Sequence, residues 1–161
     1  MLYKNTKILF MALILLSLPA VGFAQSLEGV WKGVSIQFIG GDEPRTEQFS
    51  NMRILIYTES FFMWAFDNAT EPRPLLSQNP QNSSDAEIGR VARQYQSTGG
   101  TYQLDGNTII YNRLIDMVPN GMAPENQPFI RNIRMLTANR LETQITNNEG
   151  NIVVLRYVRM E

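Results

Sequence analysis

The chain has 161 residues, with 14 Lys and Arg against 15 Asp and Glu, and contains neither His nor Cys. Those absences exclude nucleophilic catalysis by Ser-His-Asp or Cys-His arrangements and zinc sites built on thiolate or imidazole. They also exclude disulfides, so the fold must be held by packing alone. A formal charge of −1 does not suit a nucleic-acid binder, which is usually clearly basic.

Residues 1–24 read as a secretory signal peptide. Lys4 and Lys7 form the positive n-region, Ile8 to Leu18 is apolar apart from Ser17, and Pro19 breaks the run before Gly22-Phe23-Ala24. The competing reading is a retained anchor. The apolar stretch Ile8–Ala24 contains Pro19 and is short against the roughly 20 residues a spanning helix needs. Cleavage after Ala24 is therefore expected, with residues 25–161 exported to the periplasm or beyond as one domain with no membrane span. Losing Lys4 and Lys7 lowers the formal charge by two and leaves Lys32 as the one lysine beside eleven arginines. Arginine is the residue of planar, bidentate partners such as carboxylates, although it also snorkels well at strand edges.

Beyond the leader the pattern is short strands separated by turn signals. A first strand is expected over Gly29–Ile39, ending in Gly40-Gly41-Asp42-Glu43-Pro44. A second runs from about Gln48 to Tyr57, and after Thr58-Glu59-Ser60 an aromatic third runs over Phe61–Asp67. Asn68 to Ser83, with Pro72, Pro74 and Pro80, is too proline-broken for regular structure. Ser84-Asp85-Ala86-Glu87 has the form of a capping box, and Ile88, Val91, Ala92 and Tyr95 give one face of a short helix over about 85–94. Gly99-Gly100 is expected to end that excursion. Strands over Thr101–Leu104 and Thr108–Asp116 flank Asp105-Gly106, a strong hairpin signal. Pro119–Pro128 is a second irregular loop. Phe129–Leu136 and Arg140–Thr146 form another hairpin, and Asn148-Glu149-Gly150 leads into a final strand, Ile152–Met160.

Eight short strands in a meander would expose two hydrogen-bonding edges, and closure into a barrel removes them. The expected fold is therefore all-β: an eight-stranded antiparallel up-and-down barrel with one short inserted helix. Such a barrel is either filled by side chains or holds one small ligand. The phase of the first strand stays open. Trp31, Gly33, Ser35 and Gln37 share one face, and Val34, Ile36 and Phe38 share the other. Hydrophobicity favours the second face as the interior.

Gly29-Val30-Trp31 at the start of the first strand, followed by this meander, resembles the lipocalin-like barrels. The Ile54–Tyr57 strand, the Phe61–Phe66 strand, Gly99–Gly106 and Asn139-Arg140-Leu141 are similar to bacterial lipocalin-like domain proteins of mostly unknown function. The likeness covers residues 27–160, but its individual motifs are weak and order carries the case. The Thr-Asp-Tyr turn of true lipocalins has no match, and the helix sits mid-chain. The resemblance implies that Trp31 packs across a closed barrel end beneath an arginine of the last strand, Arg156 or Arg159, with Arg156 taken for the role. It also favours the phase with Trp31 inside.

The candidate ligand-binding residues are Tyr57, Trp64, Tyr102, Tyr111, Arg113, Arg131 and Arg134. They are amphipathic or aromatic groups on strands that would line a cavity and supply its few polar contacts. A buried arginine wants an anionic partner, either a protein carboxylate or one on the ligand. The plainer account is that these are half-exposed strand residues. Asp67, Asp105 and Asp116 are better explained by turns than by acid–base chemistry. The function expected is non-catalytic binding of a small hydrophobic or amphipathic ligand, to which a carboxylate would be suited, with no cofactor or metal. The alternatives are a protein-binding or inhibitor module using the two proline-rich loops, and, behind it, an isomerase or cyclase using a pocket Tyr or carboxylate.

Overall fold

The computed structural model describes residues 26–161 apart from 41–42, 73–74, 78 and 148. The expected leader, Gly41-Asp42 of the first turn and Asn148 of the last turn lie outside the described residues. The elements are β1 (Gly29–Ile39), β2 (Arg45–Gln48), β3 (Arg53–Tyr57), β4 (Phe61–Asp67), α1 (Asp85–Ala92), β5 (Tyr95–Asp105), β6 (Thr108–Asp116), β7 (Phe129–Leu136), β8 (Arg140–Thr146) and β9 (Ile152–Arg159). Two single-turn 3₁₀ segments, Pro119–Met122 and Pro124–Asn126, occupy the loop between β6 and β7. No helix among the described residues is long and apolar enough to cross a membrane.

Every neighbouring pair of strands is antiparallel, and β1 pairs with β9 from Trp31↔Arg159 to Ile39↔Ile152. That pairing closes β1, β3, β4, β5, β6, β7, β8 and β9 into an eight-stranded ring. β2 pairs with β1 alone and stands outside it. The second strand expected over 48–57 is therefore divided: its later part is β3, while its first residue ends β2, which begins before the expected bounds at Arg45. β3 takes the edge of β1 at Gly29–Lys32, and β2 takes the same edge at Ser35–Phe38. Between them residues 49–52 belong to no strand: the Asp67 N–H donates to the Met52 carbonyl (3.3 Å), and the Asn51 side chain donates to the Ala69 carbonyl. Phe49 still donates to the Val34 carbonyl of β1 (2.9 Å) and Met52 bonds the last residue of β4, while Asn51 ties the stretch to the loop beyond it.

Three bulges set which residues face inward, because an extra residue reverses the alternation of a strand. In β1 the register shifts between Gly33 and Ser35. Trp31, which is 0% exposed, and Ile36, five residues on, both pack into the core. A regular strand cannot do this, so the two phases each hold in one half of β1. In β6 the extra residue is Leu114, since Gly99 pairs with Ile115 and Gly100 with Arg113. A Cβ at Gly100 would lie 2.0 Å from the Asn112 carbonyl oxygen, so the bulge needs glycine. These two glycines do not end the irregular stretch. They lie inside a strand that starts at Tyr95, where Tyr95–Thr98 pairs with Trp64–Asp67 of β4. The polar run Gln96-Ser97-Thr98 hides that strand from a reading by hydrophobicity. The third bulge lies between Ile133 and Met135 in β7.

The N-cap of α1 is as expected, with Ser84 Oγ accepting from the Glu87 N–H at 3.3 Å. Glu87 does not return the bond to Ser84; its carboxylate accepts from the Ser77 N–H (2.7 Å) and hydroxyl (3.2 Å). The meander places the chain start and the β3–β4, β5–β6 and β7–β8 turns at one rim. The long β4–β5 and β6–β7 connections, with α1, lie at the other.

At the first rim Trp31 donates its indole N–H to the Leu27 carbonyl at 2.8 Å. The Arg159 guanidinium lies over its ring, 4.1 Å from the centroid. Arg159 also donates to the carbonyls of Ala138 (2.6 Å) and Ser26 (2.7 Å) and to that of Glu28, tying the strand end to the chain start. Arg156 does not take this role. Trp31 stands opposite Arg159 in the register, and Arg156, an odd number of residues away, faces the other side of the wall. There it pairs with Glu142 (3.1 Å) and donates to Gln37 (2.6 Å). Gly29 gives the arginine room: a Cβ there would lie 2.3 Å from its Nη1.

Candidate ligand-binding site

The core is an aromatic cluster. Trp31, Leu55, Tyr57, Phe62, Trp64, Ile109, Tyr111, Leu141, Leu155 and Tyr157 are all buried in it. Phe62, Trp64, Tyr111 and Phe129 meet edge-on or tilted with centroids 4.7 to 5.9 Å apart, the geometry in which ring quadrupoles attract. Most of the interior is thus filled. Among the described residues the cluster leaves a chamber of about 70 Å³ bounded by Arg53, Ile54, Leu55, Trp64, Phe66, Arg131, Leu155 and Tyr157. Above it, at the rim with the long loops, lies a groove of about 380 Å³ whose wall includes Ile36, Glu47, Phe49, Asn51, Arg53 and Asn68. Arg53 borders both spaces.

Arg131 is the main polar group of the chamber. It reaches inward from β7 beside Ile109 of β6. Its guanidinium lies over the Trp64 ring (4.7 Å), with Phe129 (5.3 Å) and Tyr111 (5.8 Å) around it. Its Nη1 donates to the Tyr157 hydroxyl at 3.2 Å. Its Nε is sealed from solvent and has no partner among the described residues, and no described carboxylate lies within ion-pair distance of it. Burial opposes the Arg131 charge, but the oxygens of Tyr157, Tyr111 and Tyr57 more than offset this, and its pKa is held above the ordinary arginine value. A cation enclosed by rings and hydroxyls, without a counter-charge, costs stability unless an anion joins it.

Tyr57 and Tyr111 come together beneath the chamber, hydroxyl to hydroxyl. Burial pushes the Tyr57 phenol well above 10.0, and the Tyr111 charge reinforces the shift. Burial likewise pushes Tyr111 up to about 12 against the opposing pull of Arg131. Both are neutral at physiological pH and bonded to each other, which makes them poor general bases. Tyr102 packs edge-on against Tyr57 at 5.0 Å but sends its hydroxyl outward to the Thr58 carbonyl, 2.7 Å away.

Two of the expected arginines lie elsewhere. Arg113 holds the β6–β7 loop: it donates to the Gly121 carbonyl (2.9 Å), lies 3.7 Å from Asp116 and stacks on Phe129. Arg134 is the extra residue of the β7 bulge and is exposed; three residues from the inward Arg131, it falls on the opposite face of the strand. Of the residues expected to bind ligand, the fold brings Trp64 and Arg131 to the chamber and places Tyr57 and Tyr111 next to it. Arg53 and Tyr157 border it and were not anticipated. Their signal is alternation: Arg53 shares its face with Leu55 and Tyr57, and Tyr157 with Leu155 and Arg159.

Arg53 is held loosely. It stacks on Phe49 (3.9 Å) and Phe66 (4.8 Å) and donates to the Asn68 side-chain oxygen at 3.0 Å. Burial lowers its pKa somewhat, opposed by Tyr157 and Glu47, and it stays cationic near neutrality.

No protein-family model matches the chain, and no curated protein matches it. Among solved structures, an uncharacterized protein from Bacteroides eggerthii is similar over 81% of this chain and 98% of that one, at 15% identity and a TM-score of 0.42. At that level the likeness says nothing about function.

Proposed function

We propose that this chain is an exported, lipocalin-like binding protein that holds a small, partly apolar ligand through the long-loop rim of its barrel. The observation that carries the reading is the Arg131 guanidinium, set in an aromatic chamber without a protein counter-charge. The chamber alone has room for about two waters at their liquid volume of about 30 Å³ each. A ligand of metabolite size must therefore place its body in the groove above. The tyrosine pair is protonated at neutral pH and bonded to itself, which makes it a poor general base, and the isomerase or cyclase reading stands behind binding. The test is native mass spectrometry of the purified protein after exposure to a bacterial lipid and metabolite extract. A retained mass, lost when Trp64 is replaced by Ala, is expected. Retention of nothing by the folded protein would sink the reading.

A protein-binding role is the second reading, favoured by one feature. On the outer wall Phe61, Met63, Leu114 and Ile115 are 50 to 63% exposed around an almost wholly apolar depression of about 300 Å³. Such patches mark interaction sites when they are large. Leu114→Lys would abolish partner capture under this reading and leave small-ligand retention intact under the first.

A further inference from the structure

We propose that Arg53 and Arg131 form a two-arginine clamp for a compact oxyanion head, a carboxylate or a phosphate, with Arg53 as its movable half. The proposal rests on the interior-ligand reading and names the chemistry of that ligand. Both guanidinium-bearing side chains border the same 70 Å³ chamber. Neither has a carboxylate within ion-pair distance among the described residues. An anion held between two cations that border one small space gains two charge-assisted contacts. The fixed half is ready for it. The Arg131 Nε–H is sealed and unpartnered, its plane is fixed on Trp64, and Tyr157, which accepts from Arg131, keeps its own hydroxyl proton to donate.

The movable half separates the chamber from the groove, since Arg53 borders both. It rests on two ring faces and one neutral acceptor, Asn68. Contacts of that kind exchange cheaply for a carboxylate. Its position follows from the divided strand. Arg53 is the first residue of β3, directly after the segment that belongs to no strand, and Gly33 makes the space beside it. A Cβ at Gly33 would lie 2.9 Å from the Arg53 Cβ and 3.2 Å from the Phe49 ring. The chamber volume sets the selectivity: it admits the charged head, while any apolar body stays in the groove.

The probes are sodium butyrate, inorganic phosphate and neutral butyramide, added to the mature protein. The readouts are its thermal midpoint and the Nε–Hε NMR signals of Arg53 and Arg131. Butyrate or phosphate should raise the midpoint and shift both arginine signals, with butyramide at least about tenfold weaker, as expected when a charge-assisted contact is lost. Arg53→Gln should weaken the anion response by about tenfold, and Arg134→Gln should leave it unchanged. Arg131→Gln should abolish it; should that variant fail to fold, Arg53→Gln still decides. A response to butyrate without phosphate identifies a carboxylate head, and the reverse a phosphate head. Butyramide matching butyrate, or an anion response unaltered in Arg53→Gln, overturns the clamp while leaving an interior ligand in place. Silence toward all three probes together with nothing retained from extract overturns both.

Discussion

Single positions decide much of this fold through space, not chemistry. Gly100 is the clearest. Its Cα faces the Asn112 carbonyl so closely that any side chain must push the β5–β6 bulge apart. Gly100→Ala should cost about 2–3 kcal/mol, seen as a lower urea midpoint with an unchanged m-value. The buried tyrosines make a second prediction. Because the Tyr57 and Tyr111 pKa values are raised above the ordinary 10.0, with Tyr111 at about 12, the unfolded chain releases these protons first. Their contribution is complete below pH 10 and is lost as the pH climbs from there through about 12. Thermal midpoints should fall steeply over that window, and the double variant Tyr57→Phe, Tyr111→Phe should flatten the fall. A fall of equal steepness in the double variant would assign the effect to other groups. At this scale the sequence was read unevenly. Trp64 and Arg131 stand out by type, as a bulky indole and a cation on strands bounded by turns. Arg53 and Tyr157 do not stand out by type; alternation puts them on one face with Leu55 and Leu155, but it does not say that this face is the interior.

Among the elements, the strands with clean turn signals were legible. Gly29–Ile39, Phe61–Asp67, Thr108–Asp116, Phe129–Leu136 and Arg140–Thr146 have the bounds expected from β-branched and aromatic runs between turn residues. The division into β2 and β3 was not legible. It depends on Met52 bonding Asp67 and the Asn51 side chain reaching the Ala69 carbonyl, contacts far away in sequence. The start of β5 was hidden for the reason already given: its first residues are polar and draw their stability from pairing with β4. The helix is a different case, since its signal is entirely local. No residue of α1 is buried, so its cap matters more to it than packing does. Ser84→Ala should cost about 1 kcal/mol of local helix stability. Faster amide hydrogen exchange across Glu87–Ala92 should report it while the global thermal midpoint barely moves. A large drop in that midpoint would mean that α1 is coupled to the barrel more tightly than its exposure indicates.

For the molecule as a whole, the closing seam is the element on which everything depends. β1 touches β9 along almost its full length and meets β3 and β2 on its other side, and there is no disulfide to hold the ring if that seam parts. The amides of β1 and β9 should therefore exchange only by global opening, with protection matching the unfolding free energy from denaturant. Exchange at that seam well below the global value would show a barrel that opens before it unfolds. Arg159→Gln should lower stability at the same seam, through the chain-start carbonyls and the indole it covers, while Arg156→Gln should remove the partly exposed pair with Glu142 and the bond to Gln37, a smaller loss of about 1 kcal/mol.

The two indoles of the described chain each lie against a different guanidinium, Trp31 beneath Arg159 at the terminal rim and Trp64 beneath Arg131 inside. Both are buried away from water, so the protein carries two optical probes at known places. Light emitted by the indole at position 31 should change only when the terminal rim loosens. Emission from position 64 should answer to whatever enters from the opposite rim, so a change in one signal without the other tells filling of the interior apart from loss of the fold.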